Sequence, residues 1–237
     1  MAVMTNPEVP IRARALARRV DVVHGFCTRT DTHGASLDLR TGADARVWDR
    51  VSIEVAGSVR PMAHASQVHG RSVRYASGPG SVGEADAIWT DVPDLLLVIR
   101  TADCVPIVIA GVGAVAVIHA GWRGLAAGVI AATIDAMGQC GPLHAAVGPA
   151  ICLSCYEVGE EVVAGLATWT PEHEFVDRTG KRPHVDPGAA AVAQLREGGV
   201  QTIERVTVCS RCDPRLWSHR QEGAHAGRQG SVIGLRC

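Results

Sequence analysis

Three short segments of the chain concentrate side chains able to ligate a metal or attack a substrate. They are SQVHG with His69, RTADC with Asp103 and Cys104, and VIHAGWRG with His119, Trp122 and Arg123. Two imidazoles and one thiolate suit Zn²⁺ in an open site whose fourth position is left for water or substrate. The same ligands suit copper when an axial methionine joins them. No two of them share a short CxxC or HxxxH spacing, so a metal site rests on the fold bringing them together. A covalent reading uses the same residues: Cys104 as nucleophile, His119 or His69 as its base and Asp103 as an orienting neighbour. A closed structural zinc site is a third reading, but it normally takes four protein ligands and these segments offer three.

Other residues carry weaker signals. Cys152-x-x-Cys155 and Cys209-x-x-Cys212 are two pairs of a kind that together make a four-cysteine zinc knuckle. The 53 residues between Cys155 and Cys209 exceed the usual spacing, so free thiols are the expected state. Arg123 opens an expected helix, where backbone N–H groups favour anions, and is a candidate phosphate ligand. Arg220 and Arg228 admit the same role or that of a surface ion pair of little energetic worth. Trp122 follows a strand end, where aromatic rings more often plug a core than stack on a ligand.

Regular elements must position these groups. LLLVIR (Leu95–Arg100), VPIVIA (Val105–Ala110) and AVAVIHA (Ala114–Ala120) are short apolar runs of the kind that form buried strands. Glycines between the last two predict a hairpin. Such a hairpin puts Cys104, at the start of one strand, beside His119, at the end of the other. A helix is expected over Leu125–Met137, with Gly138 as its stop. Strands are expected over Ala145–Ile151 and Val200–Cys209, and helices over the YEVGEEVVAGLA segment and from Asp186-Pro187 to Gly198-Gly199. Weak helical character surrounds Val47–Val55. Strands and helices mix without strict βαβ alternation, so the expected class is α+β, a layered α/β sandwich with mixed sheets. With no linker and no repeat, residues 1–237 read as one domain, 1–20 being an N-terminal extension.

Composition narrows the function classes. Hydrophobic residues are 47% and charged residues 20% of the 237, enough for a sizeable core and against intrinsic disorder. Aromatics are only 4%, too few for a base-stacking platform, and the net charge of −1 argues against a nucleic-acid or anionic-membrane binder. Lys181 is the only lysine, so a lysine Schiff base and a Walker-type phosphate loop are not expected. The opening residues lack a secretory apolar stretch, and the longest uncharged run, Val105–Ile118, is interrupted by Pro106, Gly111 and Gly113. A cytoplasmic protein with reduced thiols is therefore expected, and nothing in the sequence fixes an oligomeric state.

SQVHG, RTADCVPIVI, HAGWRG, VGPAI with CYEVG, and the closing WSHR with AGRQG occur in an order that resembles one family, over about Phe26–Leu235. It is the so-called multicopper polyphenol oxidase or laccase-domain family, better described as zinc-dependent purine nucleoside phosphorylases and including the bacterial peptidoglycan editing factor. The resemblance implies a layered α/β sandwich. It implies that His69, Cys104 and His119 are the metal ligands, and that Arg29 is the arginine of an early TR motif near the active site and a candidate for phosphate binding. It implies phosphorolysis of adenosine, inosine and methylthioadenosine to ribose 1-phosphate, or its methylthio analogue, and free base, together with adenosine deamination. Small-molecule nucleoside and phosphate are thus the expected partners. The chain departs from the family pattern at TDTHGASLDLRTG after Arg29, which makes Asp31, His33 and Asp38 candidates for setting substrate preference. The rivals are a cysteine- or metal-dependent hydrolase editing peptidoglycan precursors and a copper-binding polyphenol oxidase. Ten histidines without one His-x-His do not favour a multicopper centre.

Overall fold

The computed structural model describes residues 9–236. Two mixed sheets pack face to face. The first has five strands: β1 (Val22–Phe26), β2 (Met62–Ser66), β4 (Gly80–Glu84), β6 (Leu96–Thr101) and β13 (Gln229–Leu235), in the order β1-β13-β6-β2-β4. The second has six: β3 (Val73–Tyr75), β5 (Ala87–Thr90), β7 (Val105–Ala110), β8 (Val115–Ala120), β9 (His144–Val147) and β12 (Thr202–Arg205), in the order β12-β9-β7-β8-β5-β3. A small ribbon pairs β10 (Val176–Asp177) with β11 (His184–Val185).

Side-chain alternation along the central strands explains the layers. Ile107 and Ile109 of β7 point into a core beneath α3 (Trp122–Ala127), α4 (Val129–Met137), α5 (Glu160–Leu166) and α6 (Pro187–Glu197), whereas Val108 and Ala110 point between the sheets. In β6, Leu97 and Ile99 join that same inter-sheet core, and Leu96 and Val98 face α2 (Ala45–Ala56) on the far side. Strands covered on both faces must be apolar throughout, which is why these runs lack the polar alternation of a half-exposed strand. The layered mixed-sheet sandwich expected from the sequence is the observed class. Of the N-terminal segment read as an extension, residues 1–8 lie outside the described residues. Ile11 pairs with Phe26, and Ala13 together with Leu16 of α1 (Arg14–Ala17) is buried in the inter-sheet core.

Several element boundaries differ from the sequence reading; the strand expected over Ala145–Ile151, for instance, runs over His144–Val147. The helix expected over Leu125–Met137 is two helices, broken at Gly128, whose φ of +81° is left-handed. A Cβ there would stand 2.7 Å from the Trp169 ring, so glycine is required by both conformation and space. The helix expected from Tyr156 begins only at Glu160, because Glu157 pairs with His184 in the ribbon region. The strand expected over Val200–Cys209 keeps its ladder only over Thr202–Arg205; beyond it the chain leaves the sheet edge, and Cys209 bridges Ala150.

Candidate metal centre and its cleft

The β7–β8 hairpin forms with Val105 opposite Ala120 and Pro106 opposite His119, so Cys104 and His119 are neighbours as expected. His69 arrives from the loop that follows β2. One ligand atom from each of His69, Cys104 and His119 lies within 4.8 Å of the others. The rings of His69 and His119 meet edge to face at 4.7 Å between centroids. Gly121 keeps the space between them open: a Cβ there would sit 2.9 Å from His69 Cδ2 and 3.3 Å from Cys104 Sγ.

Asp86, not singled out in the sequence, organises this cluster. It is fully buried just before β5. His119 Nδ1 donates to its Oδ1 at 2.8 Å, which leaves Nε2 of that ring for a metal. The amide of His69 donates to Oδ1 at 2.9 Å and that of Gly70 to Oδ2 at 2.6 Å. One carboxylate thus holds one ligand by its side chain and a second by its backbone. His69 has a φ of +59°, unusual for a residue with a Cβ, and these bonds hold the turn. Burial works against the charge on Asp86, yet the bonds from His119, Gly70 and His69 keep its carboxyl below the usual range. The available signal was an acid between Ala85 and Ala87 at the start of an apolar run, where only a satisfied charge belongs.

Burial also opposes ionisation of Cys104, but the His119 and His69 imidazoles outweigh it and bring the thiol down to about 6. Burial likewise disfavours charge on His119, and the Cys104 sulfur and Asp86 carboxylate raise its pKa to about 9. A deprotonated sulfur aimed at two imidazoles is the donor chemistry a borderline-soft cation takes.

The cluster lines a cleft of about 750 Å³, in the range of small-molecule sites. Arg40, Arg100, Arg123, Arg220 and Arg228 line it. The Arg100 guanidinium donates to Ala65 O at 3.1 Å, and that of Arg228 to Ala226 O at 2.7 Å and Gly227 O at 2.8 Å. Among the described residues neither guanidinium pairs with a carboxylate. Burial and the charge of Arg228 both press Arg100 below the usual arginine value. Two close cations without a counter-charge make a site for an anion. Arg100 ends the apolar run LLLVIR, a second charge in an unexpected place. Tyr156 adds a phenol that burial pushes up to about 12, so it keeps its proton.

The remaining expected residues fall differently. Arg29 is not a cleft residue: its Nε donates to Leu216 O at 2.7 Å, its Nη2 pairs with Glu222, and its guanidinium lies 4.1 Å from the Trp217 ring centre. Its charge is matched by Glu222, and both contacts lie on the segment that carries His219 and Arg220. Asp103 lines the cleft with both carboxylate oxygens engaged, by the Ser210 hydroxyl at 2.6 Å and the Arg220 amide at 2.6 Å. It fastens a loop whose φ at Asp103 is +89°, and it does not reach Cys104 or His119 as their orienting acid. Arg123 does line the cleft, with its guanidinium 4.3 Å from the Trp122 ring centre. In the 30–42 loop, Asp31 only closes its own turn by accepting from the amides of His33 and Ala35, and His33 is exposed. Asp38 accepts from the Arg228 amide at 2.9 Å and from Arg40 Nε at 2.7 Å, so it places two arginines of the cleft wall.

Comparison with known proteins agrees with this geometry. Residues 26–236 match the family model described as multi-copper polyphenol oxidoreductase laccase. The chain is 35% identical to a purine nucleoside phosphorylase of Deinococcus radiodurans, over 98% of this chain and 95% of that one. It is 38% identical to adenosine deaminase RL5 of an unknown prokaryotic organism, over 60% of this chain and 59% of that one. The crystal structure of YlmD from Geobacillus stearothermophilus superposes with a TM-score of 0.83 and 28% identity, covering 95% of this chain and 94% of that one. With the matched span reaching from β1 to the end of β13, and with the three metal-ligand segments all inside it, the chain belongs to the multi-copper polyphenol oxidoreductase laccase family.

Proposed function

We propose that the protein is a zinc-dependent purine nucleoside phosphorylase that also deaminates adenosine. The observation that carries this reading is the placing of a His69–Cys104–His119 donor set in a cleft also lined by Arg100 and Arg228, whose guanidiniums have no carboxylate partner among the described residues. The names of the relatives support the same chemistry. Zinc is favoured over copper because the donor set leaves an open position and, among the described residues, no methionine lines the cleft. His69, Cys104 and His119 would hold the ion, which when bound supplies a Lewis acid to polarise the substrate.

Phosphorolysis moves a ribosyl group from a purine to inorganic phosphate through a centre with oxocarbenium character, so the phosphate must be held in line and the departing base stabilised. Arg100 and Arg228 bind the phosphate, and Arg40, placed with Arg228 by Asp38, closes the same wall. Tyr156 presents a protonated hydroxyl to the cleft as a donor to substrate oxygen or nitrogen. Trp122 and Arg123 also line the cleft and help shape the space for the base. A reducing compartment such as the cytoplasm suits the free thiols. Among the described residues no helix is long and apolar enough to cross a membrane.

The test is base release from adenosine and inosine with and without inorganic phosphate. Release that requires phosphate and yields ribose 1-phosphate supports the reading. Arg100→Ala or Arg228→Ala is expected to raise the phosphate KM or lower kcat by on the order of 10²-fold, the usual worth of a positioned cation on a developing anion. Equal base release without phosphate overturns phosphorolysis.

One observation favours a second reading. Without a metal, Cys104, His119 and Asp86 form a nucleophile, base and orienting acid, with the thiol at about 6. Full activity in metal-free protein would select this cysteine hydrolase.

A further inference from the structure

A second sulfur-rich cluster lies outside the cleft. Cys152, Cys155, Cys209 and Cys212 bring their four Sγ atoms within 4.8 Å of one another. The separation in sequence that argued against such a cluster is cancelled by topology. β9 and β12 are neighbouring parallel strands, with Val147 opposite Arg205, so the chain leaves both in the same direction on the same side. The two CxxC turns follow a few residues later and face each other. They are also tied by the backbone: Ala150 and Cys209 bridge, and the Ser210 amide donates to Ala150 O at 3.0 Å.

We infer that these four cysteines form a structural zinc site that fastens one wall of the cleft. Four thiolates around tetrahedral Zn²⁺ with Zn–S near 2.3 Å stand about 3.8 Å apart, edge to edge of the tetrahedron. Cys155 and Cys212 stand 3.3 Å apart and the whole set lies within 4.8 Å, so the tetrahedral spacing is compatible with the observed distances. The Cys152 amide donates to Cys209 Sγ at 3.4 Å, a bond that supports a ligating thiolate by taking up part of its charge. Four protein ligands close the coordination shell, which marks a structural rather than a catalytic ion.

The site would act on the cleft through short covalent paths. Cys155 precedes Tyr156, a cleft residue whose ring lies 5.0 Å from the Arg220 guanidinium. Ser210, between the two cysteines of the second pair, donates to Asp103, which precedes the ligand Cys104. Ile151 donates its amide to Asp103 O at 3.0 Å. Zinc joining the two turns would therefore hold two contacts that shape the loop carrying Cys104, beside the Tyr156–Arg220 contact in the cleft.

Elemental analysis and zinc-edge X-ray absorption on the full-length protein test this directly. Wild-type protein purified under reducing conditions with zinc is expected to carry about two zinc ions per chain, one in each site. The double variant His69→Ala/Cys104→Ala is expected to keep about one, with four sulfur neighbours in its absorption spectrum. Cys155→Ser/Cys212→Ser is expected to lose that ion. Should the cysteine variant fail to fold, the His69→Ala/Cys104→Ala protein alone decides. If it carries no zinc, or if its four cysteines titrate as free thiols or as a disulfide in the presence of zinc, the inference is overturned. Absence of zinc from the cleft would instead leave wild type with one ion and an all-sulfur spectrum unchanged in the double variant, so the two readings fail separately.

Discussion

Replacing Asp86 by asparagine tests how the metal centre is held. The two side chains have nearly the same shape, so packing is preserved while one acceptor becomes a donor. Asp86 Oδ1 receives His119 Nδ1 and the His69 amide, and Oδ2 receives the Gly70 amide at 2.6 Å. If asparagine keeps its oxygen toward His119, its amide group meets the Gly70 N–H, donor against donor. If it turns over, it meets His119 and the His69 amide instead. Either way at least one buried donor loses its partner, at a cost of roughly 1–3 kcal/mol. Loss of an outer-shell partner of a histidine ligand typically lowers metal affinity about 10–100-fold. Asp86→Asn is therefore expected to weaken zinc binding by that factor in a chelator competition and to lower the melting temperature. With excess zinc supplied, kcat should recover more than the metal affinity does, because Asp86 touches no substrate. An unchanged zinc affinity in a folded Asp86→Asn protein would refute the claim that this carboxylate orients both ligands.

Three further outcomes follow from the same structure. Gly121→Ala is expected to abolish metal binding while the fold persists, since the residue has ordinary helix-entry angles and the nearest atoms to the new Cβ belong to His69, Cys104 and His119; metal content beside circular dichroism checks it. Arg29→Ala is expected to lower thermal stability and disorder the segment it holds, leaving the phosphate KM less affected than Arg100→Ala does; a larger effect on KM than that of Arg100→Ala would return Arg29 to the phosphate site. His24 is buried and accepts from the Ala13 amide at 3.0 Å; burial and then the charge of Arg12 depress its pKa to about 4. The unfolded chain therefore takes up a proton before the folded one does. The contribution of His24 to stability is complete above about pH 6.5 and falls as pH drops toward 4, by roughly 3 kcal/mol in all. Urea melts across that range should show the slope, and His24→Gln should flatten it.

Much of the centre could be read from one dimension because hairpins are local. Cys104 and His119 flank two apolar runs joined by a glycine turn, and any hairpin with that turn sets them side by side. The layered class was legible for a related reason: runs such as VPIVIA are apolar at every position, so they had to be covered on both faces. His69 joins them from a distant loop; its residue type suggested it as a third ligand, but no local spacing tied it to the other two. What the sequence could not express was charge balance across long separations. Arg29 and Glu222 meet although they stand 193 positions apart, and that pairing matches the Arg29 charge outside the lining of the cleft. Arg100 and Arg228 acquire the opposite character, cations left without a carboxylate, only when β6 and β13 pair and the loops fold over them. The four cysteines make the same point through backbone direction. Their 53-residue gap looked prohibitive, yet it is the length of chain needed to leave β9, build α5 and α6, and return along β12 as a parallel neighbour. Parallel pairing demands a long crossover, so large sequence distance and close approach arise together, and only the tertiary structure reveals which distant residues it joins.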